Sequence, residues 1–219
     1  MKKTFFDRFL SVLLVILVIA VLTGIGYLVY KYYEKYKINS NADDFLDNEF
    51  EQFIENEPPE EYNEQPAIDE QENSNGPRGI ETDALTYKDY KVEGKIELPT
   101  VNLRYPVLEQ LTNINELEVS IAIQYGVGLN NVGNTVLIGH NYRSGLFFGS
   151  NKNLQIGDSI YITDVATKSK VEYKIYSKYT TEEADTSYFN RNTNGKREVS
   201  LVTCQSNNAY RLVILAREV

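Results

Sequence analysis

The longest apolar run in the chain lies near its N-terminus. Residues 9–30 contain no charged side chain and consist mostly of Leu, Val and Ile. In a helix, at about 1.5 Å per residue, this run spans the roughly 30 Å hydrocarbon core of a bilayer. A cleaved signal peptide would have a shorter apolar core and a small-residue cleavage site, which this stretch lacks. The pattern predicts a transmembrane signal-anchor helix over residues 9–30, preceded by a short N-terminal segment at residues 1–8.

An acidic, polar segment follows the apolar run. Residues 40–82 carry 14 acidic side chains against one basic residue, Arg78, and so contribute −13 to a chain whose net charge is −9. High charge combined with Pro, Asn and Gln is typical of disordered chain. We therefore expect residues 31–82 to form a juxtamembrane segment and an acidic disordered linker. The apolar residues between Phe45 and Ile54 permit a helical turn or two, and the linker is either a spacer or a solvated tail.

Short apolar runs that end in turn residues fill the rest of the chain, residues 83–219. These runs predict strands at residues 91–98, 101–108, 135–140, 159–163, 170–179, 199–204 and 211–216. A capping box formed by Asn113 and Glu116 predicts a helix that continues to about Gln124. Many short strands with few helices favour a mostly β fold, a closed or nearly closed antiparallel barrel. We expect a chain that begins near Ile80 to fold without the anchor.

Charge and motifs exclude several classes of function. Residues 83–219 carry 15 acidic and 15 basic side chains, so they lack the positive excess of nucleic-acid-binding proteins. The sequence has no Gly-x-Gly-x-x-Gly motif and no phosphate loop. One His and one Cys cannot form a structural zinc site of the usual Cys/His type. Glu182, Glu183 and Asp185 could take part in a calcium site, but their spacing is nonspecific, and the expectation is no cofactor and no metal.

Three reactive side chains lie at the ends of predicted strands. The only Cys, Cys204, and the only His, His140, each end an apolar run, and Arg211 begins another. A cysteine nucleophile requires a base and an anion stabiliser, which strands distant in sequence can bring together. Each residue also has a structural interpretation. A lone strand Cys is more often a small buried hydrophobe, His140 could be a hydrogen-bonded core residue, and Arg211 could be a surface cation.

The residues around these three side chains resemble the sortase family, the cysteine transpeptidases of the Gram-positive cell surface. Residues 200–204 (Ser-Leu-Val-Thr-Cys) are similar to the family's Thr-Leu-x-Thr-Cys signature, with Ser200 in place of the first Thr. Residues 139–141 (Gly-His-Asn) and the downstream Arg211 follow the family's order. Residues 94–99 are similar to its Gly-x-Ile-x-Ile-Pro opening strand. The resemblance implies an eight-stranded barrel with one or two short helices.

The resemblance also implies an activity. It points to a transpeptidase, held in the cell membrane by a single span with its catalytic domain outside. The enzyme would cleave an LPxTG-like sorting motif of a secreted protein between Thr and Gly through a thioacyl-enzyme. It would then transfer the acyl group to an amine of a cell-wall precursor or a pilin. A catalytically idle, membrane-tethered peptide-binding domain and a cysteine hydrolase that uses water are the alternatives.

By the same resemblance, Cys204 is the nucleophile, His140 the general acid and base, and Arg211 the stabiliser of the oxyanion. Further residues are expected to support the site or bind substrate: Asn141, Ser200 and Thr203. Two motifs point to different subclasses of the family. The His-Asn pair resembles class B, whereas the seven-residue spacing from Cys to Arg resembles class D.

Overall fold

The computed structural model describes residues 5–56, 84–205 and 208–219. The chain divides into two compact units, Met1–Asn41 and Ala42–Val219. The first contains most of helix α1, Phe5–Asp44. By length and composition this is one helix that could cross a membrane, and none of its apolar window is buried by protein. A helix that is apolar on every side needs a nonaqueous environment, which agrees with the span predicted over residues 9–30.

Helical structure continues where the sequence predicted a disordered linker. Beyond α1, a π-helical turn covers Phe45–Phe50 and helix α2 covers Glu51–Asn56. The predicted disorder therefore does not extend over residues 40–56, where the helical turns that the apolar residues between Phe45 and Ile54 permit are present. The turn buries three of those apolar side chains, Phe45, Leu46 and Phe50. The remainder of that predicted linker lies outside the described residues.

The buried side chains of this segment belong to the core of the second unit. Phe45, Leu46 and Phe50 share a hydrophobic cluster with the barrel residues Tyr87, Val92, Leu108, Leu117 and Ala122. Ion pairs lie beside the cluster, with 2.5 Å between Arg104 Nη2 and Asp47 Oδ1 and 2.5 Å between Lys95 Nζ and Glu51 Oε1. The domain boundary that composition placed at residue 83 therefore moves back to Ala42.

Within the described residues of the second unit, nine strands form the sheet: β1 (Thr86–Tyr87), β2 (Tyr90–Leu98), β3 (Leu103–Gln110), β4 (Ile121–Gly126), β5 (Gly133–Ile138), β6 (Ser159–Asp164), β7 (Lys170–Glu182), β8 (Arg197–Gln205) and β9 (Tyr210–Glu218). Their order is β1-β2-β3-β4-β5-β8-β9-β7-β6, and β2 also pairs with β6. Strands β2 to β9 thus close an eight-stranded barrel, which confirms the predicted fold. The sheet is not purely antiparallel, because β3 pairs with β4, and β5 with β8, in parallel. Parallel neighbours require crossover connections, which the run-by-run pattern does not reveal.

Short 3₁₀ helices lie between strands of the described chain at Pro99–Val101, Ile114–Glu118 and Phe148–Asn153. The capping box of Asn113 and Glu116 is present, as predicted. The helix that it begins does not reach Gln124. Residues 121–123 are all buried in β4, and such a continuous apolar run satisfies a core strand better than one face of a helix.

Candidate active site

The barrel brings the three predicted residues to one edge of the sheet. Strands β5 and β8 are parallel, with Ile138 opposite Val202, so their C-terminal ends meet at the same edge. Continuing that register by two residues places His140 beside Cys204. Strand β9 is antiparallel to β8 and sets Arg211 directly opposite Cys204. Residues 64 and 7 positions from the thiol along the chain are thus its neighbours across the sheet.

Two side-chain hydrogen bonds extend the β5–β8 connection past the end of the ladder. The Thr203 hydroxyl donates to the Gly139 carbonyl at 2.7 Å, and the Asn141 amide donates to the Cys204 carbonyl at 2.7 Å. These bonds hold the backbone on both sides of His140 against the backbone of the cysteine. Asn141, expected to support the site or bind substrate, donates to the backbone of Cys204.

Ser200, the third expected supporting residue, lies in the barrel core and away from this edge. Its buried hydroxyl donates to Asn134 Oδ1 at 2.9 Å. The amide of Asn134 in turn donates to the Tyr188 carbonyl at 2.8 Å. Ser200 therefore joins β8 to β5 and to the loop before β8.

An open cleft of about 480 Å³ lies at the same edge, within the usual size range for ligand sites. Its lining residues are His140, Asn141, Tyr142, Arg143, Gly149, Lys152, Cys204, Gln205 and Asn208. Cys204 is a free, partly accessible thiol, and the side chain of His140 is 27% exposed. Cys204 is therefore not a fully buried hydrophobe, and His140 is not a fully buried core residue.

Arg211 is not among the lining residues, but its guanidinium contacts one of them. Its Nη1 donates to the carbonyls of Asn208, at 2.8 Å, and Tyr210, at 3.2 Å. Its Nη2 pairs with the carboxylate of Glu183. The guanidinium is therefore fixed next to the cleft by three acceptors, with its charge balanced by an exposed glutamate.

His140 has a carboxylate partner that the sequence did not suggest. Glu118 Oε1 lies 3.2 Å from His140 Nε2, and the hydroxyl of Tyr142 donates to the other oxygen, Oε2. The rings of His140 and Tyr142 are 5.2 Å apart between centroids. Tyr142 follows His140 closely enough to be a candidate from position alone. Glu118 is 22 residues upstream, at the end of a 3₁₀ helix, and only the fold brings it there.

The loop after His140 turns back tightly on itself. The amide of Phe148 donates to the His140 carbonyl at 3.0 Å, and buried Phe147 has a positive φ of 50°. Such a conformation costs a bulky residue on the order of 1–3 kcal/mol and persists where surrounding packing enforces it. At Gly149 a Cβ would lie 2.2 Å from the Tyr142 carbonyl, so only glycine allows this closure.

The calcium site considered in the sequence is not assembled. Among the residues that the structure describes, no three His, Cys, Asp or Glu side chains lie close enough together to hold a metal. Glu183 pairs with Arg211, and Asp185 accepts from the hydroxyl of Thr181, which holds the pKa of that carboxyl below its ordinary value. The expectation that no cofactor is needed stays a prediction.

A closed barrel that presents a thiol and an imidazole in one open cleft defines a candidate cysteine acyltransferase. The chain belongs to the sortase family, since the family's sortase domain matches residues 96–219, more than half of its length. This confirms the resemblance drawn from the motifs, and sortases are cysteine transpeptidases.

Individual relatives agree with this assignment. Sortase A of Bacillus anthracis is 31% identical over 127 residues, which are 57% of this chain and 58% of that protein. The match therefore spans less than two thirds of the relative's length. A sortase D5 transpeptidase of Clostridium perfringens has a TM-score of 0.53 at 22% identity, covering 59% of this chain and 79% of that one. Listeria monocytogenes sortase A has a TM-score of 0.53 at 25% identity, covering 58% and 87%.

A third solved structure is of Clostridium perfringens sortase C with the C-terminal cell wall sorting motif. Its TM-score is 0.51 at 22% identity, covering 59% of this chain and 71% of that one. Similar structures thus come from sortases A, C and D, which share the fold. The class B- or D-like subclass suggested by the motifs stays a prediction.

Proposed function

We propose that this chain is a membrane-anchored cysteine transpeptidase that cleaves an LPxTG-like sorting motif between Thr and Gly. The acyl group passes to an amine of a cell-wall precursor or a pilin. The observation that supports this most directly is the pairing of Cys204 and His140 in one open cleft of a sortase-family barrel. A nucleophile with an adjacent base is the arrangement that acyl transfer requires.

In the first half-reaction, Cys204 Sγ attacks the carbonyl carbon of the motif's Thr. The thiol proton passes to His140, the C–N bond to Gly breaks, and His140 returns the proton to the departing amine. The products are a thioester on Cys204 and a released fragment whose N-terminal residue is the Gly of the motif.

In the second half-reaction, the amine acceptor attacks the thioester carbonyl. Its proton passes to His140 as the new C–N bond forms, and the C–S bond breaks to give the Cys204 thiolate. Proton transfer from His140 to sulfur then restores the starting state. Water in place of the amine would give the free acid, which is the hydrolase alternative.

Arg211 is the proposed stabiliser of the oxyanion in both half-reactions. Its guanidinium, fixed beside Asn208 of the cleft, offers several N–H donors in one plane. A donor preorganised for an oxyanion is typically worth about 2.7–4 kcal/mol in the transition state. Substrate entry exchanges one of its present acceptors for the carbonyl oxygen of the motif.

Helix α1 supports the location in the cell membrane. Its apolar run is long enough for a single span, and basic residues flank it on both sides, so the positive-inside rule gives no orientation. Family membership favours a cytoplasmic N-terminus and an extracellular catalytic domain. There the enzyme would meet secreted proteins that carry a C-terminal sorting motif. Such a motif accompanies Clostridium perfringens sortase C in its solved structure, which is of that enzyme with the C-terminal cell wall sorting motif.

The test uses the full chain in detergent micelles with an LPxTG-containing peptide, with and without a primary amine. A transpeptidase gives an amine-linked product by mass spectrometry, a hydrolase gives only the free acid, and an idle binding domain gives neither. Cys204→Ala is the matched control and is expected to give no product. Free acid alone, or an unchanged peptide, would contradict the proposal.

A further inference from the structure

We propose that Glu118 binds the ammonium group of the amine acceptor and presents it to His140. This inference rests on the proposed function, because it assigns a residue to the second half-reaction. One carboxylate oxygen, Oε1, lies 3.2 Å from His140 Nε2, and the other accepts from the Tyr142 hydroxyl. Glu118 is therefore in direct contact with the proposed base.

The chemistry of the acceptor explains why such a group is needed. A Lys-type amine has a pKa near 10.4, so in neutral water it is almost entirely the ammonium ion, which is not nucleophilic. It must be held near the base and release one proton, through His140 to solvent, before it attacks the thioester, and its second proton then passes to the neutral His140 as the C–N bond forms. A carboxylate attracts the ammonium by a charge-assisted hydrogen bond. Because the same carboxylate touches His140, the bound ammonium lies within reach of the base.

The charges around the cleft make Glu118 important for a cationic acceptor. The residues that line the cleft in the described part of the chain include no carboxylate, but they include Arg143 and Lys152. The carboxylate of Glu183 is already paired with the guanidinium of Arg211, which contacts the cleft residue Asn208. An incoming ammonium therefore meets a lining with a positive bias, and Glu118 supplies the opposite charge beside the base.

Exposure and positioning also fit a binding residue. The side chain of Glu118 is 62% exposed, so an acceptor reaches it from solvent without movement of the barrel. Tyr142 holds the carboxylate, and its own ring packs near His140 and lies 5.9 Å from Phe147 between centroids. Glu118 is thus the acceptor-binding residue and Tyr142 a positioning residue for it.

The experiment separates the two half-reactions in wild type, Glu118→Gln and Glu109→Gln. Glu109 is an exposed carboxylate at the end of β3, outside the cleft, and serves as the matched control. Thioester formation is measured by rapid quench and intact mass. The thioester is then resolved with Nα-acetyl-lysine amide, which is cationic, or with hydroxylamine, which is mostly uncharged at neutral pH.

For Glu118→Gln we expect thioester formation within about twofold of wild type and resolution by the lysine probe slowed about tenfold, as for loss of one charge-assisted hydrogen bond at an exposed site. Resolution by hydroxylamine stays unchanged, and the free-acid share of product rises. Added salt should slow the lysine reaction of wild type and leave that of Glu118→Gln nearly unaffected.

Two results would overturn the inference. Equal slowing of thioester formation and of both resolving reactions would mean that Glu118 acts only by holding His140. Unchanged resolution by the lysine probe would mean that the acceptor does not use Glu118. A wild-type enzyme that forms no thioester would instead refute the proposed function itself, and this result is read from the first measurement alone.

Discussion

Single hydrogen bonds fix the relative position of the base and the thiol. The hydroxyl of Thr203 donates to the carbonyl of Gly139, the residue before His140. Thr203 and Gly139 are both buried. Thr203→Val keeps the shape of the side chain and leaves that carbonyl without its partner. Such a loss costs about 1–3 kcal/mol.

We therefore expect Thr203→Val to lower the free energy of unfolding by that amount and to reduce kcat/KM, whereas Thr203→Ser retains the hydroxyl and most of both. Chemical denaturation and peptide turnover measure the two effects. A Thr203→Val enzyme with unchanged stability and rate would show that this bond does not position the site.

Arg211 has a guanidinium fixed beside the cleft, and its effect on catalysis can be separated from its effect on stability. If it stabilises developing negative charge, Arg211→Ala should lower kcat/KM by about 10²–10³. Arg211→Lys should restore only part, since an ammonium lacks the planar donor fork. A purely structural Arg would show the loss in melting temperature, with recovery by Lys.

Glu183→Gln is the matched control for Arg211, because it removes the ion pair and leaves the guanidinium in place. We expect it to keep kcat/KM within a few-fold of wild type. If Arg211→Ala also keeps kcat/KM within a few-fold of wild type, Arg211 does not stabilise the oxyanion.

The sequence could predict Cys204, His140 and Arg211 because each lies at the end of an apolar run within a recognisable motif. Glu118 could not be predicted in the same way, whereas Tyr142 is at least close to His140 in sequence. The contact of Glu118 with the imidazole depends on where a 3₁₀ helix places an exposed side chain. No periodicity encodes such a contact.

The acidic segment from Ala42 to Asn56 belongs to the same compact unit as the barrel. Leu46 is fully buried in the cluster that joins Phe45 and Phe50 to the barrel. Leu46→Ala should lower the free energy of unfolding by about 2–5 kcal/mol, whereas exposed Ile156→Ala should change it by less than about 0.5 kcal/mol. Denaturant titration of the full chain in detergent measures both.

This cluster also changes the expectation for a truncated chain. A chain that begins near Ile80 lacks the segment and exposes the barrel surface beneath it, so we expect it to be less stable than one that begins at Ala42. Equal stability of Leu46→Ala and wild type would contradict this role for the segment.

A buried tyrosine of the same cluster, Tyr87, makes the stability of the barrel depend on pH. The hydroxyl of Tyr87 has no hydrogen-bond partner among the described residues, and burial raises its pKa to about 12. Since an exposed Tyr ionises near pH 10, the unfolded chain loses this proton first. The contribution is complete below pH 10 and disappears as the pH rises towards 12.

We expect Tyr87→Phe to be neutral or slightly stabilising at pH 7, because it removes an unsatisfied polar group. Its free energy of unfolding should decline less steeply than that of wild type between pH 10 and 12. Burial raises the pKa of Tyr105 to about 12 as well, so part of the decline persists in the variant. A wild-type slope in Tyr87→Phe would contradict the assignment.

The pattern of apolar runs was sufficient to predict a closed β-barrel preceded in the chain by an apolar helix. It could not give the pairing order, because β5 and β8 are 58 residues apart between the end of one and the start of the other. Yet that parallel pair brings His140 to Cys204. The burial of Phe45, Leu46 and Phe50 against the barrel was out of reach for a related reason, since net charge and local spacing do not show what a helical turn packs against.

We expect Cys204 to carry the acyl group from the sorting-motif peptide to the amine. The most direct measurement is the intact mass of the full chain, quenched in acid shortly after mixing with an LPxTG-containing peptide. We expect a mass increase equal to the peptide fragment that ends in its Thr, less one water, lost on treatment with hydroxylamine and absent from Cys204→Ala. Turnover of the peptide without any adduct, or an active Cys204→Ala enzyme, would contradict it.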